Sequence, residues 1–206
     1  INDYNKSGLG VLLDNRYLTS YTYLYKELFV FDTMRVLGSK KFDYDNSLID
    51  KYISEYEEIV GFKLEERQRQ AVHLCVNAGF IVAGSAGSGK TTVSNCIVYV
   101  ISKLEPKLSI EFAAPTGKAA KRMQEVVKQE VKTLHSRFKI GLSQDNEFAR
   151  LEETNDFGGT AFFFDECAMV TIDLMYQVLK KIDITNSRIF LFGDFNQLPP
   201  IGKGLP

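Results

Sequence analysis

Phe80-Ile81-Val82-Ala83-Gly84-Ser85-Ala86-Gly87-Ser88-Gly89-Lys90-Thr91 is an apolar run that ends in a glycine-rich loop and then meets a lysine and a threonine. Gly84 to Thr91 fits the pattern G-x-x-x-x-G-K-[ST], and it stands between a predicted strand, Phe80 to Ala83, and a predicted helix, Lys90 to Leu104. That is where a phosphate-binding loop has to sit. Glycines let consecutive backbone N–H groups face an anion, and the start of the following helix favours negative charge. In this reading Lys90 stands near the β- and γ-phosphates and Thr91 on magnesium. A Gly/Ser-rich turn carrying an exposed lysine is the competing reading, and the flanking strand and helix weigh against it.

Outward from this loop, short apolar runs alternate with helical stretches. Ile110 to Ala114, Ala161 to Phe164 and Ile189 to Phe192 are unbroken apolar runs suited to strands buried on both faces. Helices are predicted between them at Gly117 to Glu130 and Ile172 to Ile182, so the order is βαβα, the sign of an α/β fold with a mostly parallel sheet. Upstream, Leu24, Leu28, Phe31, Met34 and Leu37 recur at steps of three and four, which predicts a helix over Tyr17 to Leu37 stopped by Gly38. A second helical face runs from Leu48 to Ile59 and ends at Gly61, and a third covers Leu64 to Asn77 with Ala71, Val72, Leu74 and Cys75 inward. Residues 1–60 thus read as a small helical accessory segment and 61–206 as the α/β domain. Arg137 to Leu151 breaks the alternation and fits a small hairpin insertion around Gln144-Asp145-Asn146.

Composition narrows the function. With 25 Lys+Arg against 26 Asp+Glu, the 206-residue chain has no overall charge footprint of a nucleic-acid or membrane partner, so any basic surface must be local. The three cysteines, Cys75, Cys96 and Cys167, lie far apart with no CxxC, which excludes a readable zinc ribbon or disulfide framework and suits buried thiols in a reducing cytoplasm. No apolar stretch is long enough to span a bilayer. An opening Ile and an end at Gly204-Leu205-Pro206 suggest a piece of a longer protein.

Further motifs fall where the predicted strands end. Asp165 and Glu166 follow the run Phe162-Phe163-Phe164 at its carboxyl end, the edge where open α/β sheets bind ligands. Asp165 suits magnesium and Glu166 suits orienting and deprotonating a water, although acidic loops often follow strands for no chemical reason. Gly193-Asp194-Phe195-Asn196-Gln197-Leu198-Pro199-Pro200 closes the last strand, and Gln197 is placed to meet a γ-phosphate unless the loop is a plain turn. Pro115-Thr116-Gly117-Lys118 enters a helix, where Thr116 and the following amides can bind a second phosphate group or simply cap the helix. From Lys118 to Lys139 the chain carries Lys118, Lys121, Arg122, Lys128, Lys132, Arg137 and Lys139 against Glu125 and Glu130, a local basic excess able to follow a nucleic-acid backbone or merely to be solvated. Phe138, Phe148 and Phe157 interleave with it as stacking or core residues. His135 and His73, taken alone, read as ordinary polar positions.

Jointly these residues resemble the RecD-like group of superfamily 1 DNA helicases. Leu64 to Val72 looks like the family's Q motif, Gly84 to Thr92 motif I, Ala113 to Arg122 motif Ia, Thr133-Leu134-His135 its T-[IL]-H step, Asp165 to Val170 motif II, and Gly193 to Gly204 motif III. The resemblance implies a RecA-like P-loop NTPase domain, the first of two motor domains, with ATP and Mg2+ as ligands and single-stranded DNA as partner. It implies that Gln68 reads the adenine. Gly84, Ser85, Ala86, Gly87, Ser88, Gly89, Lys90, Thr91, Thr92, Asp165 and Gln197 would hold the nucleotide, with Thr91 and Asp165 on the metal and Lys90, Glu166 and Gln197 catalytic. Pro115, Thr116, Gly117, Lys118 and His135 would face DNA. Motifs IV to VI, with their arginine fingers, have no counterpart, so the partner they imply is a remaining C-terminal helicase domain. Cys167 and Ala168 depart from the family, which has a small residue and then Ser before Met. Dda-type or telomere-associated helicases, and a nucleotide-binding switch without turnover, are the alternative readings.

Overall fold

A computed structural model describes residues 10–13, 17–84, 89–141 and 159–194. The described part opens with an antiparallel pair, β1 (Gly10–Leu13) and β2 (Tyr17–Ser20), rather than with helix. The predicted helix therefore begins four residues late, as α1 (Tyr21–Ser39), because Ser20 is extended and its hydroxyl accepts the Tyr23 N–H at 3.1 Å, the geometry of an N-cap. Gly38 does not stop it; the chain turns out at Lys40, whose ammonium binds the carbonyls of Ile184, Thr185 and Ser187. The next helix, α2 (Asn46–Val60), starts at the Asp45 cap and ends at Gly61 with φ 80°, as the sequence predicts. Helix α3 (Glu66–Val76) starts at a reciprocal capping box between Glu65 and Gln68. Leu74, predicted inward, is 70% exposed: the buried stripe is Val72, Cys75 and Val76, and position 74 falls on the opposite side of the helix.

From there the chain alternates strand and helix: β3 (Phe80–Gly84), α4 (Lys90–Leu104), β4 (Ser109–Ala114), α5 (Gly117–Val127), β5 (Val131–Thr133), a short α6 (Leu134–Arg137), β6 (Thr160–Phe164), α7 (Ile172–Leu179) and β7 (Arg188–Gly193). All five strands from β3 to β7 are parallel and lie in the order β3-β7-β6-β4-β5. The three-residue β5 is not visible in the apolar pattern. That pattern carries α5 on to Glu130, but Lys128 adopts φ 54° and ends the helix. Likewise α7 stops at Leu179 rather than Ile182.

Alternate residues of the central strands feed two cores. On one face Phe112, Phe163, Phe190 and Phe192 pack with Ile53, Val72, Ile97 and Met123, and the Phe163 and Phe190 rings stack at 4.6 Å. On the other, Phe162, Phe164, Ile189 and Leu191 pack with Leu37, Phe138, Met175 and Val178. The helices predicted as an accessory segment thus contribute one each to the two covering layers, α1 to one face and α2 to the other. Phe138 is a core residue, 1% exposed and 5.7 Å from the Phe162 ring, which removes it as a stacking surface for bases. The first limb of the predicted hairpin is a helix end and turn over residues 137–141; residues 142–158, with Gln144 to Asn146, Phe148 and Phe157, lie outside the described residues.

Candidate functional site

Parallel strands put every strand-to-helix turn at one edge of the sheet, and the motifs read from the sequence gather there. Gly84, the last residue of β3, pairs in register with Gly193, the last of β7, while Phe164 of β6 pairs with Leu191. Strand β7 therefore separates the phosphate-loop strand from the strand carrying Asp165, a gap of about 10 Å at ordinary strand spacing. Ser85, Ala86, Gly87 and Ser88 lie outside the described residues, as does Gln197. On either side of the loop stand the strand and the helix that the motif requires. Helix α4 has no side-chain N-cap, in contrast to α1, α2, α5, α6 and α7, which are capped by Ser20, Asp45, Thr116, Thr133 and Thr171. The start of such a helix favours an anion. Thr91 is exposed and Thr92 half-buried on that first turn, which begins with Lys90.

Gln68 is brought to the same junction. Its Oε1 accepts the Glu65 N–H at 3.0 Å, and its Nε2 lies where a side chain on Gly89 would be: a Cβ there would stand 2.5 Å from it. Gly89 also has φ 71°, a left-handed backbone that calls for glycine, and its bare Cα is what leaves room for the Gln68 amide in this position.

Asp165 and Glu166 are half-buried past the end of β6. The Asp165 N–H donates to the Ala113 carbonyl at 3.1 Å, and its Oδ1 accepts the Glu166 N–H at 2.9 Å, which fixes the carboxylate beside the sheet edge. Glu166 adopts φ 53°, a left-handed conformation costly for a residue with a Cβ and of the kind that collects at functional sites. Arg122 of α5 approaches Glu166 Oε1 at 3.8 Å, but the arginine is 81% exposed and the pair is largely screened. Behind them Cys167 and Ala168 are buried against the end of β7: a Cβ on Gly193 would lie 3.0 Å from the Ala168 nitrogen. Burial, with the neighbouring Asp165 charge, pushes the Cys167 thiol far above its ordinary range, and burial raises Cys75 and Cys96 to about 12, so all three are packing groups rather than nucleophiles.

One strand further on, past the end of β4, Thr116 is half-buried and its Oγ1 accepts the Ala119 N–H at 3.2 Å. A hydroxyl that accepts in this way keeps its proton to donate, so capping the helix and holding a phosphate are compatible. Pro115 is half-buried, Gly117 and Lys118 are exposed, and a Cβ on Gly117 would meet nothing within 4 Å. Ala114 pairs with Thr133, so the Thr116 turn and the Thr133 cap with exposed His135 are neighbours. Of the basic stretch, Lys118, Lys121, Arg122, Lys128, Lys132 and Lys139 are exposed, but Arg137 is taken up by a two-pronged pair with Glu111 of β4.

Among the described residues no group of three or more His, Cys, Asp or Glu gathers as a metal cage. Thr91 and Asp165 instead offer a hydroxyl and a carboxylate oxygen, a donor set that fits magnesium completed by phosphate oxygens and water. A cavity of about 430 Å³, lined by Glu105, Pro106, Lys107, Leu108 and Gly159, lies near the opposite edge of the sheet, away from all of these residues. Two residues near the site went unread in the sequence: Glu57, nearly buried on α2, and its partner Arg69 on α3. A glutamate one turn after Ile53 on the inward face of a helix was the available signal.

The AAA domain family matches residues 68–203. The RecD subunit of the RecBCD enzyme of Haemophilus influenzae is 27% identical over 201 residues, covering 85% of this chain and 30% of the relative. The ATP-dependent RecD2 DNA helicase of Deinococcus radiodurans is 32% identical over 126 residues, 61% of this chain and 17% of the relative. An uncharacterized protein of Methanocaldococcus jannaschii is 35% identical over 163 residues, 74% of this chain and 14% of the relative. The chain thus spans less than a third of the length of each of these relatives. Among solved structures, the UvsW helicase from bacteriophage T4 superposes with a TM-score of 0.54 at 13% identity, over 75% of this chain and 62% of that one, a likeness of fold alone.

Proposed function

Because the chain belongs to the AAA domain family, as a RecD-like superfamily 1 motor domain, we propose that it is the first motor domain of an ATP-driven helicase or translocase on single-stranded DNA. The observation that carries this reading is the gathering of the phosphate-loop strand and helix, the Asp165-Glu166 pair and the Thr116 turn on one edge of a parallel sheet.

In this proposal Lys90 neutralises the β- and γ-phosphates, the N–H groups at the start of α4 cradle them, and Gln68 contacts the adenine from its place against Gly89. Thr91 and Asp165 would hold magnesium, which when bound would neutralise negative charge on the β- and γ-phosphates. Glu166 orients a water and takes its proton as the new bond to the γ-phosphorus forms and the bond to the β,γ-bridging oxygen breaks. Gln197 meets the γ-phosphate side of the reaction. Pro115, Thr116, Gly117, Lys118 and His135 present a hydroxyl, amides and charge to the DNA backbone. The arginine fingers of relatives lie in motifs not found here, so this chain alone should turn over at least about 10³-fold more slowly than it does with its second motor domain.

The test is steady-state ATP turnover by the longest natural chain that contains these residues, with and without single-stranded DNA, and with Lys90→Ala as the blank. Strong stimulation by DNA that Lys90→Ala abolishes is the expected result. Turnover absent, or indifferent to DNA, would replace the motor reading with that of a nucleotide-binding switch.

A further inference from the structure

We infer that Glu57, on a helix that precedes the matched family span, is a positioning residue for the nucleotide site: its buried carboxylate holds the Gln68 turn against Gly89. The inference rests on the proposal that Gln68 contacts the base.

The Glu57 side chain is 1% exposed, a burial that glutamate tolerates only when paired. Its Oε1 accepts the Leu64 N–H at 3.1 Å and the Arg69 guanidinium at 2.6 Å, and the Lys63 ammonium lies 2.9 Å from its Oε2. These three partners bracket the four residues Glu65 to Gln68, so one carboxylate pins both ends of the segment that carries the glutamine. Inside the segment the capping box sets the amide: Gln68 Oε1 is held by the Glu65 N–H, which turns Nε2 toward Gly89 and the start of α4. Arg69 is in turn steadied by Asp50 at 3.4 Å, and Asp50 by His73 at 2.9 Å.

Stability alone does not call for a carboxylate here. Apolar residues replacing Glu57 and Arg69 together would avoid the desolvation cost of buried ions, and such exchanges of a whole pair are often neutral or favourable. What a carboxylate adds is the simultaneous capture of a backbone N–H and a guanidinium in a fixed geometry. A fixed turn is what a glutamine needs to discriminate between bases, because a loose amide loses orientation before it loses contact.

The experiment is calorimetric binding of ADP and of GDP to the intact chain, for the parent, Glu57→Gln, Gln68→Ala and the double variant. Glu57→Gln keeps the shape and removes the charge. It should weaken ADP about tenfold, equivalent to about 1.4 kcal/mol, and leave GDP within about twofold. Gln68→Ala should do the same, and the double variant should lose no more than either alone, the mark of two residues acting through one contact. A purely structural Glu57 would instead weaken both nucleotides alike and add to Gln68→Ala; that result overturns the inference. If Gln68→Ala abolishes the ADP preference while Glu57→Gln keeps it, the inference alone fails. If Gln68→Ala keeps the preference, the reading of Gln68 fails and the inference with it. Should Glu57→Gln not fold, Arg69→Gln removes the opposite arm of the same clamp and is held to the same outcomes.

Discussion

Two glycines at the site are there for different reasons, and only one of them sets a close approach. At Gly193 a methyl group would sit 3.0 Å from the Ala168 nitrogen and 3.4 Å from that of Cys167, which is backbone and has no side-chain freedom to move away. Gly193→Ala should therefore cost about 1–3 kcal/mol, as overpacking does, read as a lowered urea midpoint. The Ala168 Cβ, 3.6 Å from the same point, belongs to this floor on which the end of β7 rests, so a larger side chain at 168 would crowd it as well. Gly117 is the opposite case. Nothing lies within 4 Å of its missing side chain, and it is the first residue of α5. Gly117→Ala should leave thermal stability unchanged or slightly raised, because alanine is the better helix former. If the amides there meet a DNA phosphate, the same methyl should weaken single-stranded DNA binding severalfold in a fluorescence titration.

At the scale of elements, the junction of α2 and α3 is an electrostatic one. Burial by itself raises the Glu57 carboxyl, but hydrogen bonds from Lys63, the Leu64 N–H and Arg69 outweigh it and hold the group below its ordinary value. Hydrogen bonding to His73, and then Arg69, likewise lowers Asp50. Carboxylates depressed in the folded state contribute stability that is complete above their unfolded values, near pH 4, and is lost as the pH falls through the lower folded values. The thermal midpoint should accordingly drop between about pH 5 and pH 2. Glu57→Gln should lower the midpoint at pH 7 and flatten this acid limb; an unchanged slope would mean that the pair is not coupled to folding. The short β5, the early end of α5 and the strand at Tyr17–Ser20 belong to this scale too. The two strands are set by pairing with β4 and β1 and the helix end by the left-handed Lys128, against an apolar periodicity that points to helix or is silent.

For the molecule as a whole, the chemistry lies at one edge of the sheet and a latch lies at the other. Arg188, the first residue of β7 and 1% exposed, donates to the Val76 carbonyl at 2.9 Å and to the Tyr44 hydroxyl, pairs with Glu105 and lies 3.4 Å from the centre of the Phe42 ring. These partners come from the segment after α1, the end of α3 and the segment after α4, so one guanidinium ties the α1–α2 connection, α3 and the phosphate-loop unit to the sheet. Arg188→Met should cost on the order of 3 kcal/mol, the lower end for breaking a buried pair, since Glu105 retains 30% exposure. Nucleotide affinity of the folded variant should not change, because the latch is a strand length away from the site. A calorimetric melt with an ADP titration on the same sample checks both.

The amino-acid sequence by itself determined the α/β alternation, the place of the phosphate loop, and the Asp165-Glu166 and Thr116 turns, because each is a local matter of apolar runs, glycine spacing and the residues just past a strand. Even the register of a parallel sheet adds little to that, since all such turns emerge at one edge. Only the tertiary structure decided which strand lies beside which, with β7 set between β3 and β6. It also made α1 and α2 covering layers of the sheet, took Phe138 and Arg137 away from any DNA-facing role, and set Gln68 against Gly89 with Glu57 behind it. These are contacts between residues far apart in the chain. A buried charge or a missing Cβ becomes meaningful only when its partner is known, and periodicity carries no information about partners.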